Sequence, residues 1–464
     1  MFPSSTRADR LWADGVRWRA RRRRFALVSS LVSSLVFMLV GGTFLRVALA
    51  GPTKAEVSLV AGLVGSPLRD RAINVRIGEK VTICAVVRLR EGHRWRVFSD
   101  ALALRLHGRR YRRGARGSSK ISPLSELGRF RLRFWRVEPQ PHHIKTLPPN
   151  VDNPAYSNAR LFGSRHGTWL GYDTIEYHET PIAPGPSGSS KASSVLGTSG
   201  CLIVSRTHPT HPKVDVNGGL GTMRYKVTVD LLDRDLRLAS WGQERTTSHG
   251  ISPRVQRVTF RGSDDLVGYL QGFFNVPNVF GSGGHGRNHQ TEFYQGADCA
   301  DVIVGAMREA GAKVPYTSAR GLARYARPVT PRLLLTKKGV FSEDGKTAVI
   351  VRFGRDVRPG DFMLIDYKNF NASPRAWDHV GVVAADEGVR GRFDPSDPIL
   401  HMGYLFGLTR EVSGGEAPAY VRFLRLRPRL LRAIARHAAR LRRRDARRRR
   451  KMGLMLKRSE GGHR

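Results

Sequence analysis

The stretch GADCADVIVGAMREAGAKVP, residues 296–315, decides how the C-terminal half of this chain folds. Val302, Ile303, Ala306, Met307 and Ala310 recur at three- and four-residue spacing, which predicts a helix with one apolar face. Asp298 is a good N-cap residue, and Gly311 supplies the left-handed conformation in which helices often end. Cys299 then falls in the first turn, where the positive end of the helix dipole favours a thiolate. A thiol in that position is a candidate nucleophile. A buried structural cysteine is the commoner fate of a lone Cys, but the polar neighbours Asp298 and Asp301 argue against an inert site.

Working outward, three short apolar runs follow: FMLIDY (362–367), HVGVVAAD (379–386) and ILHMGY (399–404), each a strand by residue type. RPGD (358–361) reads as a turn before the first. His379 opens the second strand and His401 lies on the third. An imidazole beside a thiol takes its proton and later protonates the leaving amine, and a third polar group fixes the imidazole's orientation. Cys299, His379 and His401 in that order suit a nucleophile, a base and an orienting residue. Upstream, DDLVGYLQGFF (264–274) has helical character and FGSGGHG (280–286) is a glycine-rich turn.

Before residue 262 the pattern is one of strands and loops: VTICAVVRL (81–89), FRLRFWRV (130–137), TWLGYDTIEYH (168–178), CLIVS (201–205) and YKVTVDLL (225–232). PIAPGPSGSSKASS (181–194) is a linker-like loop. The expected fold is α+β, with an all-β sandwich-like region over residues 51–261, or two small β units there. An α+β domain over residues 265–425 and a basic tail over 426–464 follow. At 464 residues the chain is long enough for several cores.

The 79 Lys and Arg against 38 Asp and Glu give a formal charge of +41, mostly from arginine, so composition alone names no ligand. Both ends are strongly basic. Arg17, Arg19 and Arg21 to Arg24 precede the uncharged run Phe25 to Leu45 and then Ala48-Leu49-Ala50, the order of an export signal. Cleavage after Ala50 and retention of residues 25–45 as a membrane anchor both fit, and both place the remainder outside the cytoplasm. The arginine-dominated tail from Val421 suits either a solvated arm or a cationic helix from Pro428, with Leu431, Ile434, Ala438 and Leu441 on one face. Such a helix would contact anionic envelope polymers or lipid.

Three cysteines are an odd number for an exported chain, which predicts a Cys84–Cys201 disulfide and a free Cys299.

Taken together, GADCADVIVGAMREAGAKVP, RPGDFMLIDY, WDHVGVVAAD and ILHMGY resemble, in order, four segments of the NlpC-type cell-wall cysteine peptidases, over roughly residues 265–425. The resemblance implies a papain-like hydrolase domain that cleaves amide bonds, with peptidoglycan or another amide-containing polymer as substrate. Its catalytic residues would be Cys299, His379 and His401, with the Cys299 N–H contributing to an oxyanion hole. It implies no cofactor and no metal. Ala300 and Asp301 depart from the usual serine and glycine, and Asn278 in PNVFGSGG stands where a tyrosine is often found.

Other readings are weaker. Cys299, His379 and His401 could ligate zinc, but no CxxC or HxxxH pair accompanies them. His285, His289, His208 and His211 read as loop histidines. HGTW (166–169) and TSGCLIVS (198–205) are similar to the L,D-transpeptidase motifs, with Cys201 as nucleophile and Ser199 where a histidine is expected. A surface binding protein on an inactive hydrolase fold is the alternative from a different class, and nucleic acid is not an expected partner.

Overall fold

The computed structural model describes residues 54–140, 142–143, 154–155, 159–162, 168–172, 176–182, 200–208, 217–247, 250–279, 290–367, 377–403 and 407–460. The expected export segment 1–50, the turn 280–286, His166, Ser199, His211, His285 and His289 lie outside these residues. Among the described residues no helix is long and apolar enough to cross a membrane. The fold is mixed α+β with strands predominating.

Seven strands close into a ring: β1 (Lys54–Leu63), β2 (Leu68–Arg69), β6 (Ala103–Leu106), β7 (Arg109–Arg113), β8 (Lys120–Ser122), β5 (Arg94–Phe98) and β4 (Val81–Glu91), with β4 returning to β1. β15 (Cys201–Val204) adds to β4 in antiparallel register, Cys201 opposite Cys84. The two sulfurs are joined in the expected disulfide. β4 is apolar at consecutive positions because both of its faces are covered. Val60, Cys84 and Val86 point into the barrel, while Leu59, Ile83, Ala85 and Val87 meet a second sheet.

That second sheet runs β14 (Tyr177–Pro181), β9 (Phe130–Pro139), β16 (Gly221–Leu231), β20 (Gln256–Arg261), β3 (Ile73–Arg76), with β17 (Leu236–Ala239) also on β16. The sandwich-like expectation is therefore corrected: one layer is the wall of a closed barrel. Small two-stranded pieces complete the half, namely β10 (His142–His143) with β11 (Pro154–Ala155), β12 (Ala159–Phe162) with β13 (Thr168–Tyr172), and β18 (Thr246–Thr247) with β19 (Gly250–Ile251).

In the other half an antiparallel sheet is ordered β23 (Gly339–Ser342), β22 (Leu333–Thr336), β30 (Ala419–Leu426), β25 (Phe362–Tyr367), β26 (His379–Val383), β28 (Pro398–Gly403), β29 (Gly407–Val412). β21 (Ala326–Pro328) also pairs with β30, and β24 (Val351–Arg352) pairs with β27 (Arg392–Phe393). Strand alternation sends Val380, Val382, Leu400 and Met402 to one core, shared with helices α1 (Leu266–Gln271) and α2 (Cys299–Glu309). Met363, Ile365, Val383, Ile399 and Phe423 fill the core on the opposite face.

The tail is not a free arm at its start. Residues 421–426, read from sequence as tail, belong to β30 within the sheet. Helix α3 (Pro428–Glu460) then lays Leu430 and Ile434 onto the α1 and α2 core, with Leu441 packed against it and Ala438 buried. Leu431, expected on that face, is 44% exposed instead. Gly311 ends α2 at φ +90°, and a Cβ there would meet the Cβ of His437 on α3 at 2.7 Å, so the close approach of α3 requires glycine.

Polar contacts bridge the expected boundary between residues 261 and 265. Asn74 donates to the Glu309 carboxylate at 3.0 Å, and the buried Arg224 guanidinium donates to the carbonyls of Phe293 and Tyr294. Arg257 lies 3.9 Å over the Tyr294 ring. The β-rich half is thereby fixed to the chain that leads into α2.

Candidate active site

Asp298 caps α2 as expected: its carboxylate accepts from the N–H groups of Ala300 and Asp301 at 3.0 and 2.8 Å. Cys299 is half-buried in the first turn and packs against the core beneath the sheet. Its sulfur is met by the backbone N–H of Val380, the residue after His379. The strand that His379 opens thus reaches the Cys299 sulfur through its backbone. The thiol's acidity departs from expectation. Burial, then the negative charge of Asp298 and Asp301, push the Cys299 thiol up from its ordinary value, and the Val380 and Ala300 N–H groups oppose this only in part. The carboxylates of the cap residue Asp298 and of Asp301 in the first turn counteract the helix dipole.

His379 and His401 are brought together directly. Gly381 pairs with His401 across β26 and β28, so His379, two residues before Gly381, shares the face of His401. His379 Nε2 lies 2.9 Å from His401 Nδ1, with the rings nearly perpendicular at 82°. His401 is buried, and its other nitrogen faces three oxygens: Thr409 Oγ1 at 3.3 Å, a Glu411 carboxylate oxygen at 3.5 Å and a Glu416 oxygen at 3.8 Å. The hydrogen bond from His401 pulls the Glu411 carboxyl below its ordinary value. Glu416 accepts from the Tyr367 hydroxyl, and the Tyr367 ring lies 6.3 Å from that of His379. A loop of contacts therefore runs His379, His401, Glu416, Tyr367 and back.

The residues before His379 are tied down as well. The Asp378 carboxylate accepts the Tyr367 N–H at 3.1 Å, and the Asp378 N–H donates to Ile365 O at 2.9 Å. Arg332, paired with the buried Asp366, lies over both Trp377 and Tyr420 at 5.0 and 4.4 Å. Asn278 is buried, and its backbone bridges to Ala297, two residues before Cys299. The departure from tyrosine noted in sequence thus lies beside the lead-in to Cys299.

Thr409, Glu411, Glu416 and Tyr367 carry no local sequence motif. Only the pairing of β28 with β29, which sets Thr409 opposite His401, brings the first of them into view. His401, Glu411 and Glu416 place donor atoms within 4.8 Å of one another, a different set from the zinc ligands weighed in sequence, since Cys299 and His379 are not in it. Cys201 holds no thiol, because it is bonded to Cys84, so the L,D-transpeptidase-like assignment has no nucleophile in this structure. His208 stands in a loop with Nδ1 3.6 Å from Glu138.

No family model matches this chain, and neither a curated protein nor a solved structure matches it.

Proposed function

We propose that this chain is an exported cysteine hydrolase of papain-like, NlpC-type arrangement that cleaves amide bonds in peptidoglycan peptides. The observation that supports it most is the His379 Nε2 to His401 Nδ1 contact of 2.9 Å, on the strand whose Val380 N–H meets the Cys299 sulfur.

In this reading His401 holds His379 by Nε2, and proton exchange with the thiol falls to Nδ1. Because burial and two carboxylates favour the neutral thiol, the proton leaves as the sulfur attacks rather than beforehand. The Cys299 sulfur bonds to the amide carbonyl carbon, and the S–H proton passes to His379. The tetrahedral oxyanion is held by the Cys299 N–H, which Asp298 leaves out of its cap. Collapse breaks the C–N bond, and His379 returns the proton to the departing amine. Water, deprotonated by His379, then hydrolyses the thioester. Asn278, whose backbone bridges to Ala297, stands where enzymes of this type often carry tyrosine.

One observation favours a second reading: the raised thiol suits an inert cysteine in a protein that only binds the envelope. Digestion of purified peptidoglycan, with fragments identified by mass spectrometry, separates the two. New peptide termini that vanish in Cys299→Ser support the hydrolase; undigested wall material retained on the protein supports the binder.

A further inference from the structure

On the outer wall of the barrel, register sets arginines side by side. Arg69 on β2 pairs with Arg105 on β6, and Arg105 pairs with Arg110 on β7. Arg112, two residues along β7, stands on the same face and pairs with Lys120 on β8. Leu68, Leu104, Leu106 and Tyr111 alternate with them into the barrel core, which fixes the arginines outward. They line a groove of about 470 Å3.

Like charges directly opposite each other across strands destabilise a sheet. Three other barrel arginines are matched by acids: Arg88 with Glu56, Arg96 with Glu91 and Arg113 with Asp100. The row is not. Among the described residues none of these four guanidiniums has an ion pair or a hydrogen bond, and Arg105 Nε is buried without a partner. The nearest acid in sequence, Asp70, is taken by the backbone N–H of His107 at 2.6 Å. An arrangement that repels itself and leaves donors unsatisfied is complementary to an anion that spans it.

We infer that this groove binds a linear phosphate polymer through its backbone. Neighbouring strands stand about 4.8 Å apart, so each adjacent pair of guanidiniums can clamp one tetrahedral phosphate, and the row takes successive ones. A guanidinium fork matches carboxylate and phosphate alike, so a polycarboxylate is the competitor that the test includes. Single-stranded nucleic acid would need exposed aromatic platforms for its bases, and the one aromatic lining the groove, Tyr111, is buried inward.

The test uses the full chain at low salt with tripolyphosphate as the probe, read by thermal shift and calorimetric titration. The probe should raise the melting temperature of the wild type. In Arg69→Gln/Arg105→Gln/Arg110→Gln its affinity should fall about tenfold or more. Arg442→Gln/Arg443→Gln/Arg444→Gln on α3 should keep that component of binding. Without probe, Arg105→Gln should melt higher than the wild type, because it relieves the repulsion. Should the triple variant not fold, Arg110→Gln alone, at an exposed position, should weaken binding. Equal affinity in the barrel variants and the wild type overturns the proposal. Tighter binding of an oligothymidylate or of poly-glutamate of equal charge, lost in the same variants, overturns the phosphate-polymer assignment.

Discussion

His379 Nε2 and His401 Nδ1 are 2.9 Å apart, and the second ring is buried while the first is only half-buried. One of the two nitrogens donates and the other accepts, so each ring fixes the tautomer of the other. The oxygens of Thr409, Glu411 and Glu416 around His401 Nε2 favour a proton there, which makes Nδ1 the acceptor and His379 Nε2 the donor. Replacing His401 by Ala should lower kcat on a cell-wall peptide about a hundredfold. His401→Asn, which keeps an acceptor, should lose less. Equal losses in the two variants would show that the ring fills space rather than orients His379.

Asp298→Asn separates helix capping from charge. Asparagine caps about as well as aspartate, so folding should be unaffected, while the negative charge that holds the Cys299 thiol up is removed. The sign follows: a lower pKa gives more thiolate at a given pH, and each unit gained is about a tenfold rise in thiolate. Alkylation of Cys299 by iodoacetamide should therefore be faster in the variant at neutral pH and converge with the wild type at strongly alkaline pH. An unchanged rate profile would remove Asp298 from control of the thiol.

The helix α2, its cap, its terminal glycine and the strands at 362–367, 379–383 and 398–403 were legible because each is specified by neighbours in sequence. Barrel closure was not. RWRVF, ALRL and RRYRR are short strands whose arginines mask the period-two pattern, and nothing local says that β4 returns to β1. AYVRFLRL does alternate, with Val421 and Phe423 on one face, yet its arginines make it resemble the tail that follows. The acids around His401 arrive from another strand and a turn, so only pairing reveals them.

The docked start of the tail makes a stability prediction. Ile434 is buried against the α1 and α2 core, so Ile434→Ala should cost about 2 kcal/mol or more. Leu431→Ala, on the exposed side, should cost about 0.5 kcal/mol or less. Denaturant unfolding of the two variants checks this, and equal costs would mean that α3 does not pack as described.

Glu411 links this cluster to acid stability. The hydrogen bond from His401 lowers its folded pKa, so the carboxylate contributes stability above its unfolded value, and that contribution is lost as pH falls through the folded value. Glu411→Gln should be less stable than the wild type at neutral pH, with the difference closing in strongly acidic buffer. A difference that stays constant across that range would mean that the carboxylate's charge plays no part.

Cys84 and Cys201 are 117 residues apart in sequence, and their bond ties β15 to the barrel wall. In the chain-entropy account, closing a loop of this length restricts the unfolded ensemble enough to contribute about 4 to 5 kcal/mol. The double change Cys84→Ser/Cys201→Ser should lower the melting temperature markedly, and reduction of the wild type should do the same. Neither sulfur is near the reacting groups of the mechanism proposed for Cys299, so hydrolysis measured well below the lowered transition should survive. That separation of stability from activity distinguishes the two cysteine sites. Loss of hydrolysis in a folded Cys201→Ser protein, with activity retained in Cys299→Ser, would move the nucleophile to the barrel and abandon the assignment to α2.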